Sequence, residues 1–389
     1  MRSVKLKSHK NRSKKLLGVK NLRPLSERLR KKNKTIVFTI GSFDLLNPGH
    51  CRYLAEAKAL GDILVVGVST DFSISSIKGE GYPLTNQDIR TELITYLKSV
   101  DYVINVDEKS PYDVLLLLRP DIFLTHAADW ERGLRNGQDR EVVGFYGGKV
   151  TKRRSHSPYF GTTALIDHIA NIRVIKILED YIKGRVQNFS LNPAEDLKPA
   201  DFGLQHPKSK EAFDPKDLIV PPEDLKTFAQ SLNRRRKKVV FVSGSYDLLH
   251  VGHARFVEQA GLLGDILVVG IPSDQALTRL KGVGRPIISE YSRAYTLGHL
   301  DPVDHIVIFD EDTVLSMLGT LKPDIFFTVE EDWNSGYKRS AEYKLLKGYG
   351  GKIVRAERQA PLMSSSVIIN KLAQKKVQEI FRECQARKI

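Results

Sequence analysis

The 389-residue chain contains one pattern twice, and this duplication constrains the fold more than any other feature of the sequence. Gly41 and Gly244 lie 203 positions apart, and the same offset connects His50 to His253. Four further pairs keep this offset: Lys78 and Lys281, Arg90 and Arg293, Trp130 and Trp333, and Thr163 and Ser366. The period is far longer than the roughly 20 to 50 residues of a solenoid repeat, so the sequence predicts two globular domains in tandem.

A ten-residue block occupies the same place in both repeats. It reads GSFDLLNPGH at residues 41–50 and GSYDLLHVGH at residues 244–253. A β-branched run precedes each block, at 35–39 and 239–242, and a helix-like segment follows it. The block is therefore predicted to be a strand–turn–helix junction. At the carboxyl end of a first parallel strand, such a junction turns helix N–H groups and the positive end of the helix dipole toward a nucleotide.

The second block carries two histidines, His250 and His253, with Gly252 between them. Glycine lets a phosphate approach the backbone, and imidazoles donate hydrogen bonds to phosphate oxygens from a short side chain. Such groups suit in-line attack at phosphorus, where positioning and charge stabilisation supply most of the rate. The first block has Asn47 in place of the first histidine. Because asparagine carries no charge, the first repeat is expected to be the weaker site.

Strand-like and helix-like segments alternate through each repeat, with strands of the first repeat predicted at 61–68, 101–106, 120–124 and from 147 onward. This alternation indicates an α/β fold in which a parallel sheet has helices on both faces. The predicted division is a basic extension at 1–34, a first domain at 35–170, a helix and linker at 171–234, a second domain at 235–373 and a C-terminal helix end at 374–389. Within the extension, residues 24–30 are expected to form a short helix against the first domain.

The repeated block resembles the signature of the cytidylyltransferase-like nucleotidyltransferase superfamily, and the resemblance covers nearly all of each repeat. It implies two tandem Rossmann-like domains and an enzyme that joins a nucleoside monophosphate from an NTP to a phosphorylated small molecule, with release of pyrophosphate. It also implies Mg²⁺ bound together with the nucleotide, and no metal site formed by the protein alone. The second repeat matches the His-x-Gly-His pattern fully, whereas the first departs from it at Asn47.

The resemblance further implies which residues form the two sites. Six are expected to act in catalysis: His250, His253 and Lys281 in the second repeat, and His50, Asn47 and Lys78 in the first. The expected nucleotide-binding residues of the second repeat are Gly244, Ser245, Tyr246, Asp247, Gly252, Arg293, Ser364, Ser365 and Ser366. Those of the first repeat are Gly41, Ser42, Phe43, Asp44, Gly49, Arg90, Gly161, Thr162 and Thr163. The residues expected to frame the substrate pocket are Asp129, Trp130, Asp332 and Trp333.

Each of these assignments has a plainer alternative. A lysine in a glycine-bounded loop reaches a phosphate as a mobile charge, but it is equally compatible with an ordinary surface position. The arginines could form helix-surface ion pairs, the tryptophans could be core residues, and the hydroxyls could be plain helix caps. Just before the tryptophans the repeats differ, with Thr125-His126-Ala127 in one and Thr328-Val329-Glu330 in the other, so substrate contacts should differ between them. Loose candidates for the arginine that the family carries near its final helix are Lys152, Arg153, Arg154, Arg355 and Arg358.

The formal net charge of +15 is concentrated at the N-terminus. Residues 1–34 hold 14 Lys or Arg and one acidic residue, so the remainder of the chain is close to neutral. Base-stacking motifs are absent, and a nucleic-acid partner is therefore not expected. Two distant cysteines, Cys51 and Cys384, fit a reducing cytoplasm, and no apolar run is long enough to span a bilayer.

The resemblance leaves the substrates open between two subfamilies. Residues 59–68, 284–287 and 309–313 are similar to the adenylyltransferase domain that makes ADP-heptose from heptose 1-phosphate. The tandem architecture instead resembles ethanolamine-phosphate cytidylyltransferase, and a catalytically decayed nucleotide-binding sensor or scaffold is the non-enzymatic alternative. Since relatives commonly pair two such domains, the repeats are expected to form an intramolecular pseudo-dimer, with a further homo-oligomer left open.

Overall fold

The computed structural model describes residues 12–107, 111–153, 165–172, 212–234, 237–332, 336–360 and 364–386. The chain folds into two compact units. The first unit consists of Met1–Pro158, Gln205–Asp214 and His299–Asp301, and the second of Tyr159–Leu204, Pro215–Gly298 and Pro302–Ile389. Within the described segments, no helix combines the length and the apolar character that a bilayer crossing requires.

The first unit alternates helices and strands. Its described elements are α1 (Arg12–Lys15), α2 (Leu22–Arg30), β1 (Ile36–Gly41), α3 (Pro48–Lys58), β2 (Ile63–Ser69), α4 (Asp71–Lys78), α5 (Gln87–Thr95), β3 (Tyr102–Val106), α6 (Tyr112–Leu118), β4 (Ile122–His126), α7 (Ala127–Glu131), α8 (Gly137–Phe145) and β5 (Lys149–Arg153). The strands form a parallel sheet of order β3-β2-β1-β4-β5. In its centre, Phe38 is in register with Val65 of β2 and Phe123 of β4.

The second unit repeats this order. Its described elements are α9 (165–172), β6 (Ile219–Val220), α10 (Leu225–Arg234), β7 (Val239–Ser243), α11 (Val251–Gly261), β8 (Ile266–Pro272), α12 (Asp274–Lys281), α13 (Glu290–Gly298), β9 (His305–Phe309), α14 (Leu315–Leu321), β10 (Ile325–Val329), α15 (Ala341–Tyr349), β11 (Lys352–Ala356) and α16 (Ser365–Ala386). The sheet order is β11-β10-β7-β8-β9-β6, and all paired strands are parallel.

The central strands are apolar on both faces because helices cover both faces of each sheet. Residues 36–40 of β1 are all buried, and so are all seven residues of β8. A sheet with one solvent-facing side would alternate buried and exposed residues, which neither strand does. The prediction of two α/β domains, each with a parallel sheet between helices, is confirmed.

The first strand of each unit lies where the strand order reverses. β1 has β2 on one side and β4 on the other, and β7 has β8 and β10. In open α/β sheets a crevice forms at such a switch point, beyond the carboxyl ends of the strands. The predicted functional blocks directly follow β1 and β7, so the topology directs both into a crevice.

The segments that precede the two blocks belong to the units, which corrects the predicted boundaries at 34 and 234. Leu22, Leu25 and Leu29 of α2 are buried in the core cluster of the first unit. The hydroxyl of Ser26 donates to the carbonyl oxygen of Leu118 at 2.5 Å. α10 lies 203 positions later and places Leu232 in the second core. The helix expected at 24–30 is confirmed, but these helices fill cores and are not an extension and a linker.

The helical segment that follows β5 clusters with the second unit. Residues 165–170 were expected to close the first domain, and residues 171 and 172 to begin the helix and linker. In the second unit, Lys376 Nζ of α16 lies 3.7 Å from the carboxylate of Asp167. Leu165 and Ile169 of this short helical segment are buried. The predicted linker between 173 and 211 lies outside the described residues.

Candidate active site

The loop after the first strand adopts an unusual backbone that explains its opening glycine. Tyr246 has φ 46°, and Phe43, its counterpart in the first unit, has φ 48°. This left-handed conformation turns the aromatic ring back over the preceding residues. A Cβ at Gly244 would lie 3.0 Å from the Tyr246 ring, and one at Gly41 would lie 3.0 Å from the Phe43 ring. The Gly-Ser-aromatic sequence is therefore needed to form the turn in both units.

The two histidines of the second unit stack on each other at the start of α11. Their ring centroids are 3.8 Å apart with an interplanar angle of 23°, and the Tyr246 ring contacts His253 edge-on at 5.1 Å. The backbone N–H of His250 donates to Nδ1 of His253 at 3.4 Å, so the proton of a neutral His253 is assigned to Nε2. A Cβ at Gly252 would crowd both the His250 ring and Ala360, at 3.0 Å from each. Gly252 is thus required by close packing.

Positive charges surround this histidine pair. Burial, followed by the charge of Arg358, lowers the pKa of His250 to about 4. Burial and then the neighbouring charges of His250 and Lys281 lower the pKa of His253 well below its ordinary value. Lys281 Nζ donates to Ser245 Oγ at 2.9 Å, at the opening of the loop. At neutral pH both imidazoles are uncharged donors beside cationic groups, an arrangement that attracts an anion.

Asp247 anchors the loop to the residues that directly precede α13. Its side chain is fully buried, and its carboxylate accepts from the backbone N–H groups of Ile287 and Ile288 at 2.6 and 3.0 Å. Arg285 Nε lies 2.8 Å from the other oxygen. Because protein donors occupy this carboxylate, Asp247 would serve a nucleotide by fixing the loop.

Arg293 holds the same loop from α13. It is buried, and its guanidinium donates to the carbonyl oxygens of Ser245, Pro272 and Ile288 at 2.8 to 3.0 Å. It also pairs with the carboxylate of Asp274 at 2.8 Å. Arg293 therefore does not form an exposed ion pair on the helix surface, which was the plainer alternative for this arginine. Its contacts to three carbonyl groups join the loop, β8 and α13 at one point.

The first unit reproduces this bracing. The Asp44 carboxylate accepts from the backbone N–H groups of Leu84 and Thr85 at 2.8 and 2.9 Å. Arg90 donates to the carbonyl oxygen of Ser42 at 2.6 Å and to that of Thr85 at 2.9 Å. Both side chains are buried. The loop scaffold is therefore the same in both units, although the side chains that it presents differ.

The N-terminus of α16 meets the histidine loop in the second unit. Ser364 Oγ accepts from the N–H of Val367 at 3.2 Å and caps the helix. The hydroxyl of Ser365 is buried and lies 3.4 Å from both the N–H and the carbonyl oxygen of Leu248. Ser366 is exposed. The predicted serines thus bring the positive end of a second helix dipole to the loop, through a cap and one direct contact.

Asn47 has a structural use in the first unit. It is buried, its Oδ1 accepts from the N–H of His50 at 3.2 Å, and its Nδ2 donates to the carbonyl oxygen of Leu45 at 3.2 Å. Both ends of the amide are therefore engaged in capping α3. Burial and then the charge of Lys78 lower the pKa of His50 to about 4. Lys78 Nζ donates to Ser42 Oγ at 3.3 Å, as Lys281 does to Ser245 in the second unit.

Trp130 and Asp129 lie beyond β4 in the first unit. Trp130 Nε1 donates to Thr125 Oγ1 at 2.9 Å, and Lys152 Nζ lies 3.8 Å from the centroid of its ring. Asp129 is buried and accepts from Arg132 at 2.8 Å. The tryptophan is half-buried and so is not simply a core residue. In the second unit, Asp332 ends a short 3₁₀ helix, Glu330–Asp332.

Some predicted residues add little to this geometry. Gly161, Thr162, Thr163 and Trp333 lie outside the described residues. Gly49 is exposed at the start of α3. Among the described parts of both units, no group of three or more His, Cys, Asp or Glu side chains could hold a metal ion.

Two residues near the histidines, Arg358 and His126, had only a weak signal in the sequence: Arg358 was one of several loose candidates, and His126 marked a difference between the repeats. Of the candidate arginines, Arg358 influences both imidazoles, whereas Arg355 stacks 4.3 Å above Tyr337 and pairs with Glu330. In the first unit, the charge of His126 contributes to the low pKa of His50, after burial and Lys78. In the structure His126 is the last residue of β4, and Arg358 follows β11.

Comparisons with known proteins match both repeats. The model of the cytidylyltransferase-like family matches residues 38–182 and 241–371. Bifunctional protein HldE of Geotalea uraniireducens (strain Rf4) is 35% identical over 181 residues, which cover 46% of this chain and 35% of that protein. Bifunctional protein HldE of Syntrophotalea carbinolica is 50% identical over 131 residues, covering 34% of this chain and 26% of that protein.

This chain therefore spans about a third or less of the length of these curated relatives. Among solved structures, the lipopolysaccharide core biosynthesis protein from Thermoplasma volcanium GSS1 matches with 28% identity and a TM-score of 0.28, covering 31% of this chain and 98% of that chain.

Proposed function

Because the chain belongs to the cytidylyltransferase-like family and is a nucleotidyltransferase, we propose that it transfers a nucleoside monophosphate from ATP or CTP to a sugar phosphate. The observation that carries this proposal is the stacked pair of His250 and His253, which lies with Lys281 and Arg358 between the N-termini of α11 and α16. Neutral donors, cationic side chains and two helix dipoles converge there, and this combination suits a triphosphate.

In the proposed reaction, a phosphate oxygen of the acceptor attacks the α-phosphorus of the nucleotide in line. The new P–O bond forms as the bond between the α-phosphorus and the bridging oxygen breaks, and pyrophosphate leaves with that electron pair. No covalent enzyme intermediate is required. The stacked imidazoles of His250 and His253 are proposed to lie against the α-phosphate, and Lys281 and Arg358 to stabilise the charge that develops on the leaving group.

The nucleotide is proposed to bring its own Mg²⁺. Asp247, the carboxylate nearest in sequence to the histidines, is already occupied by two amides and Arg285. The metal ligands would therefore be triphosphate oxygens and water, and the ion would neutralise part of their charge.

A sugar phosphate is favoured by the similarity of residues 59–68, 284–287 and 309–313 to the adenylyltransferase domain that makes ADP-heptose. The tandem arrangement of two units favours a second candidate, a cytidylyltransferase that acts on phosphoethanolamine. The two candidates differ in both base and acceptor, so one assay separates them.

The test is pyrophosphate release with Mg²⁺, in which ATP and CTP are each combined with heptose 1-phosphate, phosphoethanolamine, phosphocholine and glycerol 3-phosphate. Release with ATP and heptose 1-phosphate supports the first candidate, and release with CTP and phosphoethanolamine supports the second. If the protein binds nucleotide but releases no pyrophosphate with any pair, the proposal is wrong and the sensor alternative is favoured.

A further inference from the structure

The two units differ most where β1 and β4, or β7 and β10, border the crevice. In the first unit, the hydroxyl of Tyr53 lies 2.7 Å from Thr39 Oγ1 of β1 and donates to the carbonyl oxygen of Leu124 of β4 at 3.3 Å. His126 ends β4, and its ring centroid is 6.5 Å from that of Tyr53. Both rings are only half-buried. Polar groups thus line this side of the crevice, opposite the lysine that follows β2.

His126 is oriented as a donor. Its Nδ1 accepts from the backbone N–H of Ala128 at 3.2 Å, at the start of α7. The proton of the neutral ring is therefore assigned to Nε2. Because the ring caps α7, its position is held before any ligand arrives.

Charged groups extend the polar side inward. Glu56 is buried, with Arg52 Nε at 3.4 Å and Arg153 Nε at 4.0 Å from its carboxylate oxygens. Burial raises the pKa of the Tyr53 hydroxyl, and the negative charge of Asp129 adds to the increase. The hydroxyl therefore remains protonated throughout the physiological range, and while its proton is donated to Leu124 its oxygen can accept from a ligand hydroxyl.

The corresponding positions of the second unit are apolar or uncharged. Phe256 replaces Tyr53 and stacks on Phe327 at 4.8 Å and 31°, and Val242 replaces Thr39. Val329 stands in place of His126 at the end of β10. The charged residues Glu56 and Arg153 are replaced by Gln259 and Ala356. At these positions the wall of the crevice offers a phenol and an imidazole in the first unit and the apolar side chains of Phe256 and Val329 in the second.

We propose that the two units accept different phosphate esters: a hydroxyl-rich ester in the first unit, bound by Tyr53 and His126, and a hydroxyl-poor ester in the second, bound against Phe256 and Val329. This inference rests on the proposed nucleotidyl transfer, in which the acceptor oxygen bonds to the α-phosphorus as pyrophosphate departs. A site built from buried donors rejects an analogue that leaves them unpaired, and an apolar wall does not bind hydroxyl groups that must lose water. The loop scaffold is common to both units, so the inference concerns the acceptor, and each protein below is assayed with ATP and with CTP.

The test uses two full-length proteins in which one unit is inactivated, His253→Ala to leave the first unit and His50→Ala to leave the second. Pyrophosphate release is measured for each with heptose 1-phosphate as the hydroxyl-rich probe and phosphoethanolamine as the hydroxyl-poor probe. We expect His253→Ala protein to prefer the sugar phosphate by at least tenfold in kcat/KM, and His50→Ala protein to show the opposite preference. Equal preference in the two proteins, or silence of one of them with both probes, overturns the assignment.

Exchange of the wall residues adds a second measurement. In His253→Ala protein, Tyr53→Phe with His126→Val installs the residues of the second unit. KM for the sugar phosphate should rise at least tenfold while KM for the NTP stays unchanged. An unchanged acceptor KM, or an equal rise in both KM values, contradicts the role of the wall. Absence of pyrophosphate release by the unsubstituted protein would instead refute the proposed function itself, so the two failures are distinguishable.

Discussion

At the scale of single residues, the site contains two kinds of side chain. Some fix the conformation of the loop after the first strand, and others face the crevice. Asp247 and Arg293 are buried, and each joins backbone groups to an oppositely charged side chain, Arg285 and Asp274 respectively. His253 and Lys281 lie on the loop and helix end that these braces position. Substitution of a brace would disturb the loop conformation, whereas substitution of Lys281 would remove a charge and one hydrogen bond to Ser245.

Lys281→Ala is expected to lower kcat/KM for pyrophosphate release in His50→Ala protein by about 10 to 100-fold, because one positive charge near the leaving group is lost. Lys347→Ala is the matched control, since Lys347 is an exposed lysine on α15 of the same unit. Steady-state kinetics measure both. Equal effects of the two substitutions would exclude a specific role for Lys281.

The low pKa of His250 makes stability depend on pH. Its pKa is 6.5 in the unfolded chain and about 4 in the folded protein, so the unfolded state binds the additional proton between these values. This contribution to the free energy of unfolding is complete above about pH 6.5 and is lost as the pH falls toward 4. We expect the Tm of the His250→Asn protein to fall less between pH 6.5 and 5 than the Tm of the unsubstituted protein, as measured by thermal unfolding.

Asparagine is the appropriate replacement because Asn47 caps α3 at the corresponding position. The helix cap is then kept while the titrating group is removed. An unchanged slope of Tm against pH would show that other groups account for the decrease, such as His50 and the buried His299, whose pKa values burial also lowers.

At the scale of elements, the helix that precedes each first strand is part of a core. α2 buries Leu22, Leu25 and Leu29 against the first sheet, while its basic residues remain on the other side. The corresponding α10 does the same in the second unit with Ala229 and Leu232. The basic segment 1–34 thus contains an amphipathic helix.

Leu25→Ala is expected to lower the free energy of unfolding of the first unit by about 2 to 5 kcal/mol, through lost apolar burial and the cavity left behind. Arg23→Ala on the exposed face of α2 is the control and should change it by less than about 0.5 kcal/mol. Urea unfolding followed by circular dichroism measures both variants. A small effect of Leu25→Ala would indicate that α2 is an extension and not part of the core.

At the scale of the whole molecule, the chain carries two crevices of the same construction and unequal chemistry. The second crevice has both histidines of the pair. The first has His50, Lys78 and His126, while Asn47 serves as a helix cap. If each crevice works alone, the two activities should simply add.

We expect the rate of pyrophosphate release by the unsubstituted protein, with both acceptors present, to equal the sum of the rates of His50→Ala and His253→Ala proteins. The doubly substituted protein should retain less than about 1% of that sum, since each substitution removes a donor to the reacting phosphate. A sum that differs from the unsubstituted rate would indicate coupling between the units.

The sequence by itself determined the duplication, the α/β class and the position of the two blocks. These follow from local signals: a constant offset, β-branched runs followed by glycine-bounded turns, and polar residues at helix starts. It also located both histidines, both lysines and the serines that cap α16. It did not show that α2 is part of a core, because a short amphipathic helix rich in arginine has the composition of a tail until a core is present to bury its leucines.

Only the tertiary structure decided which of these polar residues face the crevice. Arg293 and Asp247 have side chains that could bind a ligand, but they bond instead to backbone groups of distant segments. The sequence contains no local signal for those contacts. The placement of Arg358 near the histidines, and of Tyr53 beside His126, likewise depends on the ends of parallel strands meeting at one edge of the sheet. Chain order specifies the strands, but long-range packing specifies which side chains meet beyond their ends.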